Sequence, residues 1–192
     1  MSTPPADARG ATLLALARAA VESAVHNAQA ARIETPASLD NWLTAPGATF
    51  VTILCAGELR GCIGSVRPRR ALRDDVEANA RAAAISDPRF PPLGVSDLGQ
   101  LQVEVSLLSP LEPLPSPLTE AVAGALLRPT VDGVVLENGA AGATFLPQVW
   151  AQLPAAEAFL RALKQKAGLA PGPWPSTTRL FRYTVEKWSG EP

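Results

Sequence analysis

Residues 101–107, Leu-Gln-Val-Glu-Val-Ser-Leu, alternate apolar and polar side chains without a break. Period-two alternation of this length defines a strand lying half in a core, with Gln102, Glu104 and Ser106 on its outer face. Its neighbours are predicted on either side. Thr49 to Leu54 is rich in β-branched and aromatic residues, and a turn at Ala56-Gly57-Glu58 sends the chain back through Leu59 to Ser65 as a hairpin. Asn138-Gly139, between the apolar runs 130–137 and 142–146, marks a second hairpin, and 177–188 reads as a closing strand.

Helical spacing occupies much of the rest. Residues 7–31 place Leu13, Leu16, Ala17, Ala20, Val21, Ala24 and Val25 on one face, and 71–86 place Leu72, Val76, Ala80 and Ala83 inward. Shorter helices are predicted over 118–127, 147–153 and 155–167, the last ending at Gly168. The loop Asp87-Pro88-Arg89-Phe90-Pro91-Pro92 is stiffened by its prolines and can hold a side chain still. Pro110, Pro113, Pro115 and Pro117 form a semi-rigid connector. The expectation is α+β: an antiparallel sheet flanked by helices in one domain spanning 1–192, with a smaller second lobe over about 112–168.

Several function classes lose support. The net charge of −1 gives no global attraction to nucleic acid or anionic lipid. No apolar run approaches the roughly 20 residues that span a bilayer, and the first residues lack the charged-then-apolar order of a secretory signal, so the expectation is a soluble, cytoplasmic protein. Cys55 and Cys62, roughly 8 Å apart across the predicted hairpin, are too distant for a disulfide. With His26 as the sole histidine, the usual zinc sets cannot be assembled, and neither metal nor cofactor is expected.

Charge, sulfur and glycine crowd together in Glu58-Leu59-Arg60-Gly61-Cys62-Ile63-Gly64. On an uninterrupted strand Leu59, Gly61 and Ile63 share the core face, while Arg60, Cys62 and Gly64 share the other. Cys62 is the candidate nucleophile, Arg60 the cation that would favour its thiolate, and Glu104 or Asp87 the candidate base. Arg60, Gly61, Gly64, Asp87 and Arg89 are the candidate ligand-binding residues. Catalysis, ligand binding and plain packing all stand open for Cys62, so whether the chain is an enzyme stays undecided. The glycines do not form a phosphate-binding fingerprint; close backbone approach or a bulge accounts for Gly61 and Gly64 better. Arginines recur from Arg60 to Arg89, but interleaved acids and absent interleaved aromatics weaken an RNA-binding reading.

Six segments in order, ELRGCIG at 58–64, DPRFPPL at 87–93, VEVSLLSP at 103–110, DGVVLE at 132–137, FLPQVW at 145–150 and KAGL at 166–169, resemble the AMMECR domain family. The resemblance spans roughly 48–187 and implies that family's α+β fold. In bacteria it points to protein A of the AmmeMemoRadiSam system, with a Memo-type protein and a radical SAM protein as implied partners. It assigns no reaction. The function expected from residues and resemblance together is binding of a small polar or anionic ligand, or a peptide, around the LRGCIG motif, with Cys62 thiol chemistry as its stronger form. A non-catalytic protein-interaction module is the alternative.

Overall fold

A computed structural model describes residues 6–29, 31–115 and 119–190. The chain divides into two compact units, 1–107 with 186–192, and 108–185. Both are mixed helix and antiparallel sheet, so the chain is α+β.

The first unit opens with helix α1 (Ala6–Val25), then a 3-10 turn (Ala37–Leu39) and the short α2 (Asp40–Thr44). Strands β1 (Pro46–Gly47), β2 (Thr49–Cys55), β3 (Glu58–Gly64) and β4 (Arg70–Ala71) follow, then α3 (Leu72–Ile85), a 3-10 stretch (Val95–Gln100) and β5 (Leu101–Leu108). In the second unit come β6 (Glu112–Pro113), α4 (Glu120–Leu126), the hairpin β7 (Gly133–Asn138) and β8 (Ala141–Phe145), a 3-10 turn (Pro147–Ala151), α5 (Ala156–Lys166) and β9 (Arg179–Tyr183). Strand β10 (Val185–Ser189) follows β9 directly.

In the first unit the sheet order is β10-β5-β2-β3, with β2 antiparallel to both β3 and β5. The predicted alternation appears as Leu101, Val103 and Val105 buried with Val51 and Ile53 against α1 and α3. Helix α1 stops at Val25, short of the predicted residue 31. Asn27 takes the left-handed conformation (φ 50°), and Ala28 N–H donates to Ser23 C=O while Asn27 N–H donates to Ala24 C=O. That paired closure ends a helix, and asparagine tolerates it nearly as well as glycine.

The second unit's sheet runs β6-β9-β7-β8 around a core of Leu136, Trp150, Phe159, Leu160, Leu163 and Leu180. Trp150 stacks on Phe159 with centroids 3.9 Å apart, and its indole N–H donates to Asp132 C=O at 2.7 Å. Asp132 and Arg128 form a salt bridge of 2.6 Å. The hairpin turns at Gly139-Ala140, one residue beyond the predicted Asn138-Gly139, since Asn138 pairs with Ala141. The predicted closing strand is two strands broken at Thr184, β9 in one sheet and β10 in the other. Residue 118, where a helix was predicted to start, lies outside the described residues; α4 begins at Glu120 with Thr119 Oγ1 accepting from Val122 N–H. No described helix is long and apolar enough to cross a membrane.

Candidate functional site

Strand β3 is the edge of its sheet, so alternate N–H and C=O groups along it lack a strand partner. At Cys62 both groups are covered by the loop after α3. Cys62 N–H donates to Asp87 Oδ2 at 2.8 Å, and Cys62 C=O accepts from Arg89 Nη2 at 3.1 Å. Asp87 and Arg89 are themselves joined: Arg89 Nε and N–H donate to Oδ1 at 2.9 and 3.1 Å, and Nη2 donates to Oδ2 at 2.6 Å. Pro88 between them limits the conformations the loop can take. The result is a closed ring of three residues in which the backbone of Cys62 cannot shift without losing hydrogen bonds to both members of an ion pair.

Gly61 explains how that loop reaches β3. A Cβ on Gly61 would lie 2.1 Å from the carbonyl oxygen of Ala83, near the end of α3. Only glycine lets the helix backbone pack directly on the strand and deliver Asp87 to its edge. Gly64 likewise has the Phe50 ring over it, 2.3 Å from where a Cβ would stand. Both glycines therefore admit the protein's own groups, and the space beside Gly61 expected for a ligand is filled by Ala83.

The side chain of Cys62 points to the sheet face opposite α3. Thr52 is its cross-strand partner, and Thr52 Oγ1 donates to Cys62 Sγ at 3.3 Å. Arg89 adds positive charge, and its pKa is raised chiefly by the hydrogen bonds to Asp87, with burial opposing and Cys62 adding smaller electrostatic and hydrogen-bond contributions. The guanidinium is half exposed and lies 5.3 Å from the Phe90 ring centroid. Its bonds to oxygen use Nε and Nη2, and it also meets the Cys62 side chain. The Asp87 carboxyl is held well below the ordinary carboxylate range by the Arg89 hydrogen bond first, against a burial cost, with the Cys62 and Arg89 backbone N–H groups assisting.

Two predicted members do not join this corner. The register of β2 on β3 slips between Ile53 and Leu54: Ile53 faces Gly61 while Leu54 faces Leu59, leaving Arg60 as the extra residue of a β-bulge. The bulge turns Arg60 to the Ile53 side, where Nη2 lies 3.8 Å from Asp97 Oδ2. Leu59, predicted to face the core, is instead 41% exposed. Leu59→Lys is accordingly expected to change stability by no more than about 0.5 kcal/mol, measurable by urea denaturation; a loss typical of core leucines would restore Leu59 to the interior. Glu104 faces Thr52 from the other side, so about two strand spacings, nearly 10 Å, separate it from Cys62. It is engaged by Lys187 Nζ at 2.8 Å and Ser189 Oγ at 3.1 Å, out of hydrogen-bond reach of the thiol.

Below the corner lies a polar cluster that sequence reasoning missed. Asp75, 1% exposed in the first turn of α3, accepts from Thr49 N–H and Oγ1, Ser65 Oγ, Arg70 Nε and Asn79 Nδ2, all between 2.7 and 2.9 Å. Asn79 also donates to Thr49 C=O at 2.9 Å. The cluster ties α3 to the start of β2 and the end of β3, and so fixes the strand that carries Cys62. It also absorbs Arg70 from the basic run; Arg73 bonds Thr35 and Arg81 bonds Ser23. Spacing within α3 gave the only signal, since Asp75 and Asn79 are separated by one helical turn on the buried side.

The sequence profile of the AMMECR1 family matches residues 14–188. The chain belongs to the AMMECR1 family. A protein of Methanothermobacter thermautotrophicus is 37% identical over 92% of each chain. One from Thermococcus gammatolerans is 36% identical over 96% of this chain and 92% of its own. The crystal structure of an uncharacterized protein from Pyrococcus horikoshii superposes with a TM-score of 0.81 at 32% identity, covering 95% of this chain and 91% of that one. The AMMECR1 fold is therefore this chain's fold. Cys55 and Cys62 are both free thiols, and no group of three or more metal-ligating side chains occurs among the described residues.

Proposed function

We propose that this AMMECR1 protein binds a small anionic or polar ligand, or a peptide segment, at the corner formed by Cys62, Asp87 and Arg89. The observation that carries this reading is the Arg89 guanidinium: anchored through Nε and Nη2 to Asp87 and the Cys62 carbonyl, yet half exposed. A pre-positioned guanidinium binds carboxylate or phosphate at little entropic cost. The resemblance to protein A of the AmmeMemoRadiSam system supports a cytoplasmic pathway shared with Memo-type and radical SAM proteins.

Thiol chemistry at Cys62 is a second reading, since the thiol is free and only partly buried. It lacks a base: Asp87 is fully engaged and its low pKa makes it a poor proton acceptor at neutral pH, while Glu104 is too distant. Binding is therefore the stronger reading.

Alkylation separates these. Cys55 is expected to react slowly, because burial and then Asp97 push its thiol pKa up, with Arg60 only partly opposing. Cys62 is expected to react faster with iodoacetamide, and to show an added preference for anionic iodoacetate. One unit charge near 4 Å in water contributes about 1 kcal/mol, or roughly fivefold in rate, so the iodoacetate-to-iodoacetamide ratio at Cys62 should exceed that of urea-unfolded protein by about that factor. The excess should vanish in Arg89→Gln and in 1 M salt. A ratio equal to that of the unfolded chain would remove the anion-binding reading. If a partner docks here without chemistry, Cys62→Ser should keep the binding and lose only the alkylation.

A further inference from the structure

The second unit contains a cavity of about 500 Å³ lined by Glu120, Arg161, Lys164, Gln165, Leu169, Pro171 and Gly172. Arg161, Lys164 and Gln165 stand at i, i+3 and i+4 on α5, so they share one helix face. Helix α5 ends in the left-handed Gly168, with Leu169 N–H bonded to Lys164 C=O and Gly168 N–H to Gln165 C=O. The chain then turns through Leu169, Pro171 and Gly172 and closes over that face.

Lys164 is the unusual member. It is 5% exposed, a rarity for lysine, and no carboxylate among the described residues lies within ion-pair distance of it. Its Nζ donates to the carbonyls of Gly172 and Pro173, the latter at 3.3 Å, and lies 5.9 Å from the Trp174 ring centroid. Carbonyls and a ring face orient an ammonium without neutralising it. Two carbonyl oxygens and a ring face are the only partners of the ammonium among the described residues, and none of them carries a charge. A buried charge without a counter-ion is costly, so a cavity that places one in its wall is suited to supply the counter-ion from solution. The lining holds two cations, Arg161 and Lys164, against one carboxylate, Glu120, while Leu169 and Pro171 offer apolar surface.

We infer that this cavity is a binding site for a small amphipathic anion, a carboxylate carrying an apolar body, with Lys164 as its counter-ion. The site lies wholly within 108–185 and shares no residue with the Cys62 corner, so it stands or falls independently of that reading. The probe is 3-phenylpropionate, with neutral 3-phenylpropanol as control, titrated into the full chain and followed by backbone amide chemical shifts. With eleven heavy atoms the carboxylate should bind with a Kd of about 1 mM or tighter. The amides of Leu169 and Gly172 should move, those of Cys62 and Arg89 should not, and the alcohol should bind at least tenfold more weakly.

Lys164→Met should weaken the carboxylate about tenfold or more and leave the alcohol unchanged. Because a change at a buried site can disturb folding, Gln165→Trp provides a second arm: exposed on α5, it fills the cavity from its rim and should abolish binding of both compounds while the amide spectrum stays folded. Glu120→Gln should tighten the carboxylate two- to threefold by removing the like charge. Equal affinity for acid and alcohol would overturn the role of Lys164. Shifts confined to residues outside 120–172, or no saturable shift at 10 mM, would overturn the site.

Discussion

Asp75→Ala is expected to lower the stability of the folded chain by about 3–5 kcal/mol and the melting temperature by roughly 6–20 °C, the scale seen when a buried charge partner is removed. The carboxylate is the acceptor for a backbone N–H, two hydroxyls, a guanidinium and an amide at once. Alanine leaves Thr49 N–H and Asn79 Nδ2 buried with fewer partners and removes the counter-charge of Arg70. Each unsatisfied buried donor costs about 1–3 kcal/mol, more where charge is involved. Asp75→Asn keeps the shape but brings an NH₂ group toward donors, so it should recover only part of the loss. Urea denaturation followed by circular dichroism measures the difference. A shift under about 3 °C in Asp75→Ala would mean that water replaces the carboxylate readily and that the cluster does not hold the start of β2 to α3.

The fold was legible where the pattern is local. Alternation located β5 and its core face, helical spacing located α3 with one-residue accuracy at each end, and the order of the motif segments indicated the family. The candidate site was legible in membership but not in arrangement, and the reason is the turn before β3. A three-residue turn at Ala56-Gly57-Glu58 and a two-residue turn at Ala56-Gly57 followed by a bulge lead to the same pairing of Thr52 with Cys62. They differ only between the turn and the bulge, where the first puts Arg60 beside Cys62 and the second puts it on the opposite face. The structure has the second: Ala56 and Gly57 both take positive φ, 51° and 83°, Cys55 pairs with Glu58, and Arg60 bulges. Alanine is a poor signal for such a turn, so sequence gave no reason to prefer it. Asp87 and Arg89 were picked out for their rigid loop, yet their grip on the Cys62 backbone depends on α3 crossing β3 at Gly61, a contact between residues 22 positions apart (83 − 61) that no spacing rule reveals. The cavity beside Lys164 was equally hidden, because a lysine in the last turn of a helix reads as an ordinary solvent-facing partner of the helix dipole.

Asp87→Ala is expected to cost about 2–4 kcal/mol at neutral pH, since it removes charge-assisted bonds from Arg89 and from the Cys62 N–H at a position only 4% exposed. The pH dependence identifies the source. Asp87 is held below its unfolded value of about 3.9 by Arg89, so its contribution is present in full above that pH and is lost as pH falls toward the folded value. The stability gap between the native chain and Asp87→Asn, which cannot titrate, should therefore be constant from about pH 5 to 8 and narrow progressively below about pH 4. Urea midpoints at a series of pH values give this curve. The local consequence is separable from the global one: once Asp87 no longer accepts it, the Cys62 amide loses its bond at an open sheet edge and should exchange with deuterium faster than the Val51 and Ile53 amides of the same sheet. A gap that persists unchanged to pH 3 would show that packing of the loop, rather than the Asp87 carboxylate, secures β3. Unchanged protection of Cys62 would show that the edge is closed by something other than this ion pair, and would take with it the fixed geometry on which ligand recognition by Arg89 depends.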